Sequence, residues 1–175
     1  MQRVRPTVFI SIPKKWMQLY EHIASNVNVE LDDESLIKEF VAQASGGSLR
    51  WGLSAASYLE PDVFRFFQRN GVHLMSGFGM TEATGGITMT NPNQYKDNSL
   101  GWPLPGVEVK LGDDGEMMIR GGYVMMGYYS SSKEENPFED GWFPTGDIMR
   151  QYEDGHYEII DRKKEIYKNI KGETI

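Results

Sequence analysis

The hydrophobic pattern changes its period near residue 100, and that change restricts the fold more than any other property of the chain. In "PKKWMQLYEHIAS", residues 13–25, Trp16, Leu19, Tyr20 and Ile23 recur at helical spacing. Pro13 takes the first turn, where a missing N–H costs nothing. After the acidic start "DDES", Leu36, Ile37, Phe40, Val41 and Ala44 repeat the spacing, and "SGG" at 45–47 ends it. "SLRWGLSA" then reads as a strand. Pro61 opens a short helix through Val63, Phe64 and Phe67 that Gly71 stops, and "VHLMS" reads as a buried strand. Helices alternating with strands predict an α/β layer with parallel strands.

Beyond residue 100 the pattern is mostly β. "VEVKL", "GEMMIRG", "YVMMGYY", "WFPTGDI" and "HYEII" are short runs separated by turn residues. Asp-Gly occurs at 114–115, 140–141 and 154–155, and the first and third pairs sit between expected strands as hairpin turns. "SSSKEENPFED", 130–140, reads as a polar loop or short helical turn. The expected organisation is an α/β subdomain over 1–100, then a β-rich subdomain over 101–160 forming a small antiparallel sheet or distorted barrel. A basic terminal segment, 161–175, completes it.

Composition removes several function classes. At 175 residues and 39% hydrophobic content the chain suits one ordinary domain or two small ones. Its net charge of −7 gives no reason to expect nucleic acid or an anionic membrane surface. It has no cysteine, so disulfides and thiolate metal ligands are excluded, in agreement with a cytoplasmic location. His22, His73 and His156 form no metal-ligand spacing, and no long apolar run argues for export or a membrane span.

Three stretches carry chemistry. "SGFGMTEATGG", 76–86, leaves an apolar run and passes two glycines around an aromatic to reach Thr81 and Glu82. A strand end with a Gly-rich turn and a core Phe78 accounts for it. So does a ligand site in which Phe78 stacks on a base while Thr81 and Glu82 meet phosphate and its Mg²⁺, because Mg²⁺ is usually held by carboxylate plus phosphate oxygens. In "WFPTGDI" the carboxylate of Asp147 either binds its own turn amides or accepts from a ribose diol. "IIDRKKEIYKNIKGETI", with Arg162, Lys163, Lys164, Lys168 and Lys171, is either a solvated face or an anion contact.

Together, "GFGMTE", "GEMMIRGGYVMMGYY", "WFPTGD" and "DRKKEIYKNIKGE", in this order, closely resemble the adenylate-forming (AMP-binding) superfamily. "RPTVFISIPKKW" and "IIDRKKEIYKNIKGE" are most similar to its long-chain fatty acyl-CoA synthetases. The resemblance implies an α/β fold belonging to that family's large N-terminal domain. It also implies an ATP-dependent acid–thiol ligase that makes acyl-AMP and passes the acyl group to coenzyme A.

By the same resemblance, Phe78 forms one wall of an adenine slot and the backbone around Ser54, Ala55 and Ala56 the other. Thr81 meets the α-phosphate and Glu82 coordinates Mg²⁺. Gly79 belongs to the nucleotide site and, with Gly85 and Gly86, leaves room for the acyl chain. Asp147 holds the ribose hydroxyls with help from Arg162, and Lys164 marks a hinge. The implied partners are ATP, a fatty acid and coenzyme A, with no nucleic acid and no transmembrane segment; peripheral membrane contact belongs to the parent, and self-association to the fragment.

Departures from the family pattern are Asp161 where glycine is usual, Phe78 where tyrosine is commoner, and "SAAS" in place of a "GGAP"-like sequence. The family's phosphate loop and its C-terminal lysine are not among these residues. The expectation is therefore an internal fragment that is inactive alone. A non-catalytic nucleotide-binding or regulatory module is the alternative, as is an acyl-AMP ligase or an amino-acid adenylation domain.

Overall fold

The computed structural model describes residues 1, 3–29, 32–129 and 136–163. By packing, the chain divides into two units: Met1–Gly77 with Thr90–Asn98, and Phe78–Met89 with Ser99–Ile175. The subdomains expected from sequence character meet at residue 100, whereas packing assigns 78–89 to the second unit.

The first unit is an α/β layer. Strands β1 (Val8–Ser11), β2 (Trp51–Ser54) and β3 (His73–Met80, whose end passes into the second unit) run parallel, with Ser11 beside Ser54 and Ser54 beside Ser76. Helix α1 (Pro13–Ala24) opens with proline, as its sequence requires. Helix α2 (Glu34–Ser45) is capped by Asp33, whose carboxylate accepts from the Ser35 amide at 2.8 Å, and it ends in a left-handed Gly46. Helix α3 (Pro61–Arg69) again starts at proline.

Apolar stripes from the three helices meet on the sheet. Trp16 is fully buried, edge-on to Phe9 and Phe67 with centroids 5.1 Å away in each case, and its indole N–H donates to the Leu53 carbonyl. A Cβ on Gly52 would stand 2.3 Å from the Trp16 ring, so the strand beneath this indole has to be bare. Phe64 stacks on Tyr95 at 4.0 Å and closes the other end of the core.

The second unit is antiparallel. Strand β4 (Gly85–Met89) pairs with the short β5 (Trp102–Pro103). Strands β6 (Val107–Leu111), β7 (Glu116–Gly121), β8 (Phe143–Gln151) and β9 (Tyr157–Arg162) form a four-stranded sheet in chain order. Ile87, Met117, Ile119, Phe143, Met149 and Tyr157 form its core. The Asp-Gly pairs at 114–115 and 154–155 turn hairpins as expected, and the pair at 140–141 does so too. Asp140 and Gly141 both have positive φ between Glu139 and Trp142, whose backbones exchange two hydrogen bonds.

Two local expectations are corrected. The strand beginning at "VHLMS" does not stop before the glycines: β3 continues to Met80, and the turn is the 3₁₀ segment Thr81–Ala83 followed by a left-handed Thr84. Residues 123–129, "YVMMGYY", are not a strand. Their amides go elsewhere, that of Val124 to the Gly121 carbonyl in a turn and that of Met125 to the Glu82 carbonyl at 2.7 Å. Strands β1, β4 and β5, short runs without clear alternation, had no signal of their own. The loop at 130–140 lies largely outside the described residues.

Candidate functional site

Most of the expected site residues belong to the second unit, and its backbone explains why two of their neighbours are glycine. At Gly79 an added Cβ would lie 1.8 Å from the Gly85 carbonyl oxygen, so the space that this glycine leaves is filled by the chain itself. A Cβ at Gly86 would meet the Leu104 side chain at 2.9 Å, while the space at Gly85 is open. This close approach brings the chain into the Thr81–Ala83 turn, which presents Thr81 to solvent and leaves Glu82 half-buried. Phe78, also half-buried, packs against the second core.

Glu82 is held from two directions by the segment that follows β7. Its carbonyl accepts the Met125 amide, and its Oε1 accepts the Tyr128 hydroxyl at 3.0 Å. That hydrogen bond, then burial and the Glu82 charge, raise the Tyr128 hydroxyl above its ordinary pKa. Among the described residues no cluster of three metal-ligating side chains occurs. A single half-buried carboxylate suits Mg²⁺, which takes one or two protein carboxylates and completes its shell with phosphate oxygens and water.

Asp147 is placed by strand pairing. It sits within β8, only 2% exposed, and its Oδ1 lies 3.0 Å from Nε of Arg162, its partner in the β8–β9 register. The two residues expected to act together are therefore adjacent across two strands. The Thr145 hydroxyl donates to the Met117 carbonyl and accepts from the Asp147 amide, pinning the approach to this position.

Two contributors carried no assigned role in the sequence. Glu116, 7% exposed at the head of β7, accepts the Gly146 amide on Oε1 at 2.8 Å and the Lys163 ammonium on Oε2 at 2.6 Å. Lys163 also pairs with Asp114 at 2.8 Å, and these two carboxylates push its pKa up, Asp114 foremost. An acid directly before "MMI" in a strand with a buried run was the available signal. Tyr128 gave none, because its bond to Glu82 spans 46 residues.

In the first unit, Ser54 is 2% exposed at the end of β2, and its hydroxyl has no hydrogen-bond partner among the described residues. Ala55 donates its amide to the Ser11 carbonyl, and Ala56 has φ +72°. Ala56 lines a cavity of about 560 Å³ with Ile12, Met17 and Tyr58 beyond the carboxyl ends of β1 and β2, the edge where parallel α/β sheets bind ligands. Lys164 lies outside the described residues.

Comparison with known proteins agrees with this architecture. The family described as AMP-binding enzyme matches residues 1–129. The long-chain-fatty-acid–CoA ligase FadD15 of Mycobacterium bovis is 34% identical over 143 residues, 81% of this chain and 24% of that protein. Human long-chain-fatty-acid–CoA ligase 6 is 31% identical, with 100% of this chain aligned to 31% of its length. The chain thus spans a quarter to a third of these curated relatives.

Among solved structures, the anthranilate CoA ligase AuaEII in complex with anthranoyl-AMP superposes with a TM-score of 0.75 at 24% identity, over 99% of this chain and 33% of that one. The O-succinylbenzoate coenzyme A synthetase of Bacillus subtilis in complex with ATP and magnesium ion gives 0.74 at 23% identity, over 99% of this chain and 35% of that one. These likenesses establish the fold.

Proposed function

The chain belongs to the AMP-binding enzyme family, and from that premise we propose that it is the nucleotide-binding part of an ATP-dependent ligase that activates a long-chain fatty acid as acyl-AMP and transfers it to coenzyme A. The observation that carries the reading is the Asp147–Arg162 pair. A buried carboxylate with two acceptor oxygens, oriented by a guanidinium across a β ladder, suits a vicinal diol better than it suits packing.

In this reading Asp147 accepts from the ribose hydroxyls and Arg162 holds its carboxylate in place across the ladder. Phe78 offers one face to the adenine ring and uses its other side to pack on the core. Thr81 donates to the α-phosphate. Glu82 is the protein ligand of Mg²⁺, which when bound neutralises the phosphate oxygens that the fatty carboxylate must approach. Attack of that carboxylate on the α-phosphorus needs no nucleophilic side chain, so the chain's task is to place two anions in line and to exclude competing water. Transfer to the thiol of coenzyme A follows. A cytoplasmic location completes the reading.

The test is pyrophosphate release by the full-length protein with ATP, Mg²⁺ and saturated fatty acids of graded length, in parallel with amino acids and aryl acids. Turnover that rises with chain length and yields acyl-CoA supports the proposal. Turnover confined to amino acids or aryl acids, or ATP binding without any turnover, would replace it with an adenylation domain or a regulatory module.

A further inference from the structure

The β7–β8–β9 ladder is irregular where the site is built. The β7–β8 register shifts between Glu116 and Met118, and the β8–β9 register shifts between Ile148 and Met149. Bulges of this kind leave a backbone amide without a carbonyl opposite it, and they occur often beside active sites. Here the amide is that of Gly146, directly before Asp147, and it is taken by the Glu116 side chain. The Gly146 carbonyl is held as well, by the Lys163 amide at 2.8 Å. Lys163 Nζ returns to the second oxygen of Glu116, closing a ring through Glu116, Gly146 and Lys163.

We infer that Glu116 is a positioning residue for the nucleotide site: by binding the Gly146 amide and the Lys163 ammonium at once, it sets the spacing of the two strand segments that carry Asp147 and Arg162. The inference rests on the proposed ribose role of Asp147. A stabilising role alone is a poor account of a carboxylate this buried, because an apolar side chain of similar size usually serves packing as well or better than a buried ion pair. What an apolar residue cannot do is accept from the Gly146 amide and fix a strand irregularity. Asp114, exposed on the neighbouring turn, gives Lys163 a second partner.

The test compares Glu116→Gln, Glu116→Met, Lys163→Met, Lys163→Arg and Asp147→Ala in the full-length protein. Readouts are ATP affinity by calorimetry, ATP KM and kcat, unfolding midpoint, and hydrogen exchange at the Gly146 amide. Glu116→Met is expected to weaken ATP binding about tenfold or more, as loss of a buried acceptor implies, with faster exchange at Gly146. Its effect should fall on KM for ATP more than on kcat.

Glu116→Gln keeps an acceptor for the amide and should lose less, while Lys163→Arg should restore most of what Lys163→Met loses. Should Glu116→Met be too unstable to assay, the Glu116→Gln and lysine variants decide by the same KM-against-kcat split. Wild-type ATP affinity in the glutamate variants, with Asp147→Ala impaired, overturns the positioning role alone. Wild-type affinity in Asp147→Ala overturns the ribose reading and the inference with it.

Discussion

Nε of Arg162, a side chain 64% exposed, lies 3.0 Å from Oδ1 of the almost fully buried Asp147 on the neighbouring strand. The asymmetry decides what this pair does. Asp147 has been taken out of water and depends on its partner, whereas Arg162 stays largely solvated and pays little desolvation.

Arg162→Leu should therefore cost about 1–2 kcal/mol of stability, below the 3–5 kcal/mol of a wholly buried pair because solvent still reaches the arginine's position. It should also weaken ATP binding in the full-length protein. Urea unfolding together with ATP calorimetry checks both, and an unchanged result in each would mean that the carboxylate does not depend on the guanidinium.

Glu82→Gln should raise the Mg²⁺ concentration needed for half-maximal pyrophosphate release, because a neutral amide is a poorer ligand than a carboxylate. Tyr128→Phe, which frees Glu82 Oε1 of one donor, should shift the same titration to a smaller extent. A Glu82→Gln titration that overlays the wild type would remove this residue from the metal site.

Gly79→Ala should be among the most damaging single-methyl changes in the chain, costing about 2–4 kcal/mol or preventing folding of the second unit. The added carbon would fall 1.8 Å from a backbone oxygen, which cannot move aside as a flexible side chain can. Gly85→Ala carries no such clash and tests the positive φ of +125° alone. Equal stability of Gly79→Ala and wild type in a denaturant titration is the result that contradicts the close approach.

Alkaline pH should unfold the protein through two tyrosines, the buried Tyr157 and the partly buried Tyr95. Burial raises both Tyr95 and Tyr157 above the ordinary value near 10, Tyr95 furthest. With the folded value raised, the neutral form binds its proton more tightly in the native state. The stability this represents is complete below pH 10 and is lost as pH climbs from there towards the folded values. Lys163, raised by Asp114 and Glu116, loses its contribution in an overlapping window above about 10.5. Tyr95→Phe should flatten the fall in urea midpoint between pH 10 and 11.5, while absorbance at 295 nm follows tyrosinate formation. A fall as steep as the wild type's would place the alkaline loss elsewhere.

Much of this was legible in the chain because its code is local. Pro13 and Pro61 start helices by needing no N–H, Asp33 caps the next, and Gly46 ends it in a left-handed conformation. The Asp-Gly pairs turn hairpins for the same kind of reason, since positive φ belongs to the dipeptide rather than to its surroundings. Phe78, Thr81, Glu82, Asp147 and Arg162 stand out because residue type and order within short motifs survive in sequence. What folding alone settled was which of them meet, and through what. The Glu116–Lys163 and Tyr128–Glu82 bonds span 47 and 46 residues. A carboxylate in a strand becomes an acceptor for the Gly146 amide only after three strands have paired with a bulge at the right step. Strand periodicity specifies which face a side chain takes, but not the one-residue offsets between non-local partners, and those offsets place Asp147 against Arg162.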